Sequence, residues 1–168
     1  MLAYIDLFGE LGKNKIRYLV CGGVAIGLHG IPRMTADIDI LLDLEKENIE
    51  KFEKTIMRFG YLPLAPIPLS NLINESERLR LKKEKNLIAY SYQSGSSNLM
   101  SIDVLIDSPI SFKQMWGNKI VRKHSDVEVN VVSVDDLIEL KKYSNRLQDQ
   151  DDIINLKKYR DEKGREFR

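Results

Sequence analysis

Residues 18–42, YLVCGGVAIGLHGIPRMTADIDILL, constrain this chain more than any other stretch. Tyr18, Leu19 and Val20 read as a short buried strand, stopped by Gly22 and Gly23. Glycine there permits φ > 0 and leaves backbone N–H groups bare toward a ligand. Val24, Ala25, Leu28 and His29 fit successive turns of a short helix. Its N-terminus faces whatever the glycines face, and such a terminus favours anions. Gly30, Ile31 and Pro32 close the helix, and residues 33–36 lead into a second strand. There Asp37 and Asp39 share one face while Ile38 and Ile40 share the other, because side chains alternate with period two. Two adjacent carboxylates repel one another, and a bound cation is the economical way to hold them together.

A third carboxylate occurs in a similar setting. Residues 100–106 form another strand-like run, with Ile102, Val104 and Ile106 on one side and Asp103 on the other. An unpaired carboxylate buried in an apolar strand costs roughly several kcal/mol. If this strand lies beside the one carrying Asp37 and Asp39, three carboxylates converge. That set suits two divalent ions about 3.5–4 Å apart, an arrangement that clamps both oxygens of an in-line phosphoryl displacement.

Gly22-Gly23, Asp37-Ile-Asp39 and Ile102-Asp103-Val104 together resemble the signature of the nucleotidyltransferase superfamily with the DNA polymerase β-like fold. More narrowly, His29-Gly30-x-x-Arg33-x-Thr35-x-Asp37-Ile-Asp39 is similar to the small stand-alone bacterial and archaeal branch that includes abortive-infection toxin-type nucleotidyltransferases. Leu137-Ile-Glu-Leu-Lys-Lys142, followed by Arg146-x-x-Asp149-x-x-Asp152, is similar to the helical end of that branch. The match runs in order through residues 18–160. One departure stands out. Many active members carry Gly-Ser where this chain has Gly22-Gly23, which removes a hydroxyl able to touch a phosphate.

The resemblance implies an α+β (α/β) nucleotidyltransferase fold, a central mixed sheet flanked by helices. Residues 1–132 would form the core and residues 133–168 C-terminal helices packed on it as one compact unit. It implies transfer of a nucleoside monophosphate from an NTP, ATP foremost, to an acceptor hydroxyl, with release of pyrophosphate. Asp37, Asp39 and Asp103 are the implied catalytic residues and the ligands of two Mg2+ ions, with Mn2+ an alternative. Gly22, Gly23, Arg33 and Lys141 are the implied phosphate-binding residues. Candidate acceptors are tRNA, protein or a small hydroxylated molecule, in keeping with a toxin-type enzyme of a toxin–antitoxin pair. Two other readings stay open: a non-catalytic nucleotide-binding or regulatory partner in a two-component system, and a domain completed by a homo-oligomer or cognate partner protein.

Composition narrows the classes further. A chain of 168 residues with 43% hydrophobic content fits one compact domain. A net charge of +1 gives no long-range attraction to nucleic acid, so an RNA contact needs a local patch. The single cysteine, Cys21, excludes an intramolecular disulfide and reads as a small buried hydrophobe. No secretory signal is visible and no apolar run approaches about 18 residues, so no membrane partner and a cytoplasmic location are expected.

Outside the motif, residues 1–11 read as an opening helix and residues 45–59 as a second, with Ile49, Phe52, Ile56 and Phe59 on one stripe and Gly60 as its stop. Residues 61–69, with three prolines, read as an extended connector, and residues 70–85 as a charged helix capped by Ser70 or Asn71. Residues 87–92 read as a strand and 93–98 as a polar turn. Residues 119–123 and 127–132 suggest a hairpin, 133–143 and 149–159 two closing helices, and 160–168 a fraying end. Asp43 and Asp107 read as turn or helix caps. For His29, a hydrogen-bonded role bracing the Arg33 loop is preferred to a general base or a phosphate contact. Thr35 either orients an Asp carboxylate or starts the strand. Asp149 reads as a helix cap with Arg146 paired to a nearby acid, and Tyr90, Tyr92 and Trp116 as core rather than base-stacking residues.

Overall fold

The computed structural model describes residues 4–85, 87–95 and 100–166. The described residues form an α+β fold with seven strands in one mixed sheet. The strands are β1 (Tyr18–Val20), β2 (Asp37–Leu42), β3 (Tyr61–Pro63), β4 (Ala89–Ser94), β5 (Ser101–Leu105), β6 (Ile120–His124) and β7 (Val127–Val131). The helices are α1 (Ile5–Lys13), α2 (Gly22–Leu28), α3 (Lys46–Arg58), α4 (Glu75–Lys85), α5 (Phe112–Asn118), α6 (Val134–Ser144) and α7 (Leu147–Glu166). The sheet order is β3-β4-β5-β2-β1-β7-β6. β2 pairs antiparallel with β1 and parallel with β5. None of the described helices is long and apolar enough to cross a membrane.

Alternation sets which way each central strand faces. Ile38 and Ile40 of β2 and Ile102 and Val104 of β5 are buried, whereas Asp37, Asp39, Ser101 and Asp103 sit on the half-buried face. A slip of one residue would drive those acids into the core, so the apolar side fixes the register. α3 buries Ile49, Phe52 and Ile56 at helical spacing, each such burial stabilising by about 1.5–3 kcal/mol. It stops at Gly60, whose φ of +79° supplies the left-handed residue that ends a helix. α6 starts at Ser133, whose hydroxyl accepts from the Asp136 N–H at 3.1 Å, and ends on the left-handed Asn145.

Several local expectations are corrected. Tyr61–Pro63 is an edge strand against β4 rather than part of a connector, and proline is tolerated there because the outer N–H has no ladder partner. The charged helix begins only at Glu75, after a 3-10 turn over Leu69–Ile73. Asn74, not Ser70 or Asn71, accepts from the Ser76 N–H and hydroxyl. α7 runs through to Glu166, so residues 160–166 continue a helix. Residues 1–3 of the expected opening helix and residues 96–98 of the expected polar turn lie outside the described residues. The hairpin is present, with β6 antiparallel to β7.

Candidate active site

Parallel pairing of β2 with β5 sets Asp39 directly opposite Asp103 and Asp37 opposite Ser101. One carboxylate oxygen from each of Asp37, Asp39 and Asp103 falls within 4.8 Å of the others. Thr35 donates its hydroxyl to Asp37 Oδ1 at 2.7 Å and so fixes that carboxylate's rotation. Burial, followed by the charges of Asp37 and Asp103, pushes the Asp39 carboxyl up to about 6; Lys141 and Arg146 oppose this. Three clustered carboxylates, the central one resisting ionisation, form a hard-oxygen donor set. This is the chemistry of a site for a small divalent cation, and the residues fit one.

The glycine turn fits closely against these acids. Gly22 has φ of +62°, and a Cβ on it would fall on the Asp39 carboxylate. A Cβ on Gly23 would lie 2.7 Å from both Cβ and Oγ1 of Thr35. Glycine at 22 therefore answers to backbone conformation and crowding together, and glycine at 23 to the volume of Thr35. Cys21, between β1 and α2, is fully buried, and burial raises its thiol well above the ordinary range, so it remains a neutral apolar group.

A cavity of about 380 Å³ opens from this turn. Cys21, Gly22, Gly23, Thr35, Asp37 and Asp39 line one end; Leu137, Leu140, Lys141 and Tyr143 of α6 form a wall; Lys82 and Asp107 lie at its border. Both cations expected to meet phosphates line it, but both are engaged. Arg33 Nε donates to Asp152 Oδ1 at 2.9 Å, and its guanidinium also bonds the Met34 carbonyl. Lys141 Nζ donates to Asp149 Oδ1 and Asp152 Oδ2, each at 2.8 Å, with both acids almost wholly buried. Burial alone would lower the Lys141 ammonium, but the bonds from Asp149 and Asp152 outweigh it and keep it charged. Arg33, Lys141, Asp149 and Asp152 thus form one network joining the loop before β2 to α6 and α7.

Other candidates took different partners. His29 Nε2 donates to the Val132 carbonyl at 2.8 Å, and Arg122 donates to His29 Nδ1 at 3.1 Å. The ring therefore fastens α2 to the end of β7 and does not brace the Arg33 loop. Burial, with the Arg122 charge, lowers its pKa and keeps it neutral. Asp149 accepts from the Arg146 N–H at 3.0 Å and from the Ser144 hydroxyl, which holds the start of α7. Arg146, expected to pair with a nearby acid, lines the cavity, and its charge opposes the rise of the Asp39 carboxyl. Asp43 pairs with Arg17 at 2.7 Å, and Asp107 takes Lys82 and the Tyr143 hydroxyl as well as a backbone bond from Ser108. Tyr90 and Tyr92 are core residues whose hydroxyls reach the Ile67 carbonyl and Glu53.

No family model matches the sequence, and no curated protein does. Solved structures do match. ANT(2")-Ia, in complex with adenylyl-2"-tobramycin, superposes with a TM-score of 0.55 at 11% identity, over 90% of this chain and 86% of that one. An antigenic nucleotidyltransferase-like protein from Paracoccidioides brasiliensis gives 0.55 at 15% identity, over 90% and 72%. A Thermotoga maritima protein assigned as a nucleotidyltransferase gives 0.54 at 14% identity, over 96% of both chains. The chain has the nucleotidyltransferase fold.

Proposed function

We propose that this protein is a Mg2+-dependent nucleotidyltransferase that moves a nucleoside monophosphate from an NTP to an acceptor hydroxyl. One observation carries the reading: the β2–β5 register that gathers Asp37, Asp39 and Asp103 beside the Gly22-Gly23 turn, within a nucleotidyltransferase fold. The three carboxylates would hold two Mg2+ ions, with Mn2+ an alternative. Such ions, when bound, neutralise the triphosphate and stabilise the attacking and leaving oxygens. Gly22 and Gly23, which open α2 and carry no side chains of their own, would present backbone N–H groups to the phosphates. Thr35 holds Asp37 in its ligating orientation.

The acceptor oxygen forms its bond to the α-phosphorus as the bond to the bridging oxygen breaks, and pyrophosphate departs. Asp103 accepts the acceptor's hydroxyl proton as that bond forms. Arg33, with one donor on Asp152, keeps others in its planar fork for the triphosphate. Lys141 contributes its charge from within the network. The remaining work is positioning and electrostatics. ATP is the proposed donor; tRNA, a protein or a small hydroxylated molecule is the acceptor class, with a toxin role among its uses and a cytoplasmic site of action.

Asp37→Asn and Asp103→Asn should each abolish label transfer from an α-labelled NTP in cell extract while circular dichroism stays unchanged. Undiminished transfer by either variant overturns the assignment. A second reading, a nucleotide binder without transfer, is favoured by the engagement of Arg33 and Lys141 with Asp152 and Asp149. Mg2+-dependent thermal protection by NTPs with no labelled product would select it.

A further inference from the structure

The cavity does not end at Asp37 and Asp39. Side chains alternate along β5, and Ile106 continues the pairing by donating to the Ile88 carbonyl, so Asp103, Leu105 and Asp107 follow one another along a single face. At about 3.3 Å per residue, Asp107 lies about 13 Å beyond Asp103. That is the reach of a nucleoside monophosphate held at its phosphate through a cation. Ile88 and Leu105 on the sheet side, with Leu140 and Tyr143 from α6, make the apolar walls between these ends.

The far end is polar and built from three elements. Asp107 Oδ2 accepts from Lys82 and, at 2.5 Å, from the Tyr143 hydroxyl; Lys82 also donates to the Tyr143 oxygen at 2.9 Å. The same Lys82, Leu105 and Asp107 also line a second cavity, so the cluster lies between the two. It presents two complementary features: a carboxylate with lone pairs to spare and an ammonium with a third N–H. Burial would raise the Asp107 carboxyl, but the bonds from Lys82 and Tyr143 prevail and hold it below the ordinary carboxylate range. It is an ionised acceptor at neutral pH.

On the reading of this pocket as a nucleotide site, we infer that Lys82, Asp107 and Tyr143 read the nucleobase. Asp107 accepts from an exocyclic amino group, Lys82 donates to the adjacent ring nitrogen or carbonyl, and the ring lies against Tyr143 and Leu140. Bases that carry an amino group, adenine above all given the proposed donor, satisfy the cluster. Uracil and hypoxanthine place a carbonyl oxygen where the carboxylate needs a donor, so they leave charge facing lone pair. Tyr143 and Lys82 are both well exposed, so substitutions there do not open the core.

The experiment compares binding of ATP, UTP and ITP, each with Mg2+, to the full chain by calorimetry. The wild type should favour ATP over ITP and UTP by about tenfold or more, the ratio one charge-assisted hydrogen bond supports. Asp107→Asn and Lys82→Met should bring the three within about threefold while triphosphate-dependent binding persists. Equal wild-type affinities for ATP and ITP, or a preference untouched in both variants, overturn the inference and leave the nucleotide site standing. Failure of every NTP to bind the wild type removes both together. Should one variant misfold by circular dichroism, the ATP-to-ITP ratio of the wild type and the other variant still decide.

Discussion

Lys141 sits where two accounts of it diverge, and Lys141→Met separates them. A lysine serving only as a phosphate ligand can be replaced with loss of nucleotide affinity and none of stability. In the structure its ammonium lies 2.8 Å from each of Asp149 and Asp152, whose side chains are 2% and 5% exposed. Removing one member of a buried ion cluster costs about 3–5 kcal/mol, because the partners' charges are left desolvated. Asp152 keeps Arg33 at 2.9 Å and Asp149 keeps the Arg146 N–H at 3.0 Å, which places the loss near the lower end. For a domain of this size each kcal/mol moves Tm by about 2–4 °C, so about 3 kcal/mol predicts a fall of about 6–12 °C. Scanning calorimetry of the unliganded protein reads this without any nucleotide. Adding Asp149→Asn should cost less than the sum of the two single changes, because the carboxylate that Lys141 leaves exposed to self-repulsion is then already neutral. A Tm within about 2 °C of wild type for Lys141→Met would refute the network as a stabilising element.

Gly22→Ala should abolish Mg2+-dependent protection by NTPs in a thermal shift, since the added methyl falls on Asp39 at a φ costing about 1–2 kcal/mol; binding within threefold of wild type would contradict the close approach. Acid should weaken the junction between α6 and α7. Burial raises the Asp149 carboxyl, but bonds from Lys141, Ser144 and the Arg146 N–H more than reverse this and carry it below 3.8. A group depressed in the folded state contributes stability above its unfolded value and loses it as pH falls through the folded one. Urea unfolding between pH 6 and about 2.5 should therefore show wild-type stability falling more steeply below about pH 4 than that of Asp149→Asn; parallel curves would exclude the effect.

The core of the site was legible in the sequence because it depends on short-range rules. Period-two alternation put Asp37 with Asp39 and set Asp103 apart from Ile102 and Val104, and one parallel register joined the two strands. The stripe of α3 and its glycine stop were legible for the same reason. What escaped depends on distance along the chain. Arg33 finds Asp152 after 119 residues, and Lys82 finds Tyr143 after 61, pairings that no local spacing announces. Asp107 read as a cap because it follows a strand, and besides its local bond from Ser108 it takes partners from α4 and α6 that no local spacing shows. Tyr61–Pro63 resembled a connector because the three prolines of residues 61–69 outweighed a three-residue ladder on a sheet edge.

The contact between residue 23 and Thr35 has an evolutionary consequence. The gap there admits one side chain, contributed from either wall, so the two positions behave as a lock with a single key. A serine could enter at 23 only if threonine at 35 shrank, and the oxygen steadying Asp37 would then have to come from the opposite wall. Descendants of this chain are expected to change the two positions together, since a side chain at 23 makes Thr35 shift or shrink.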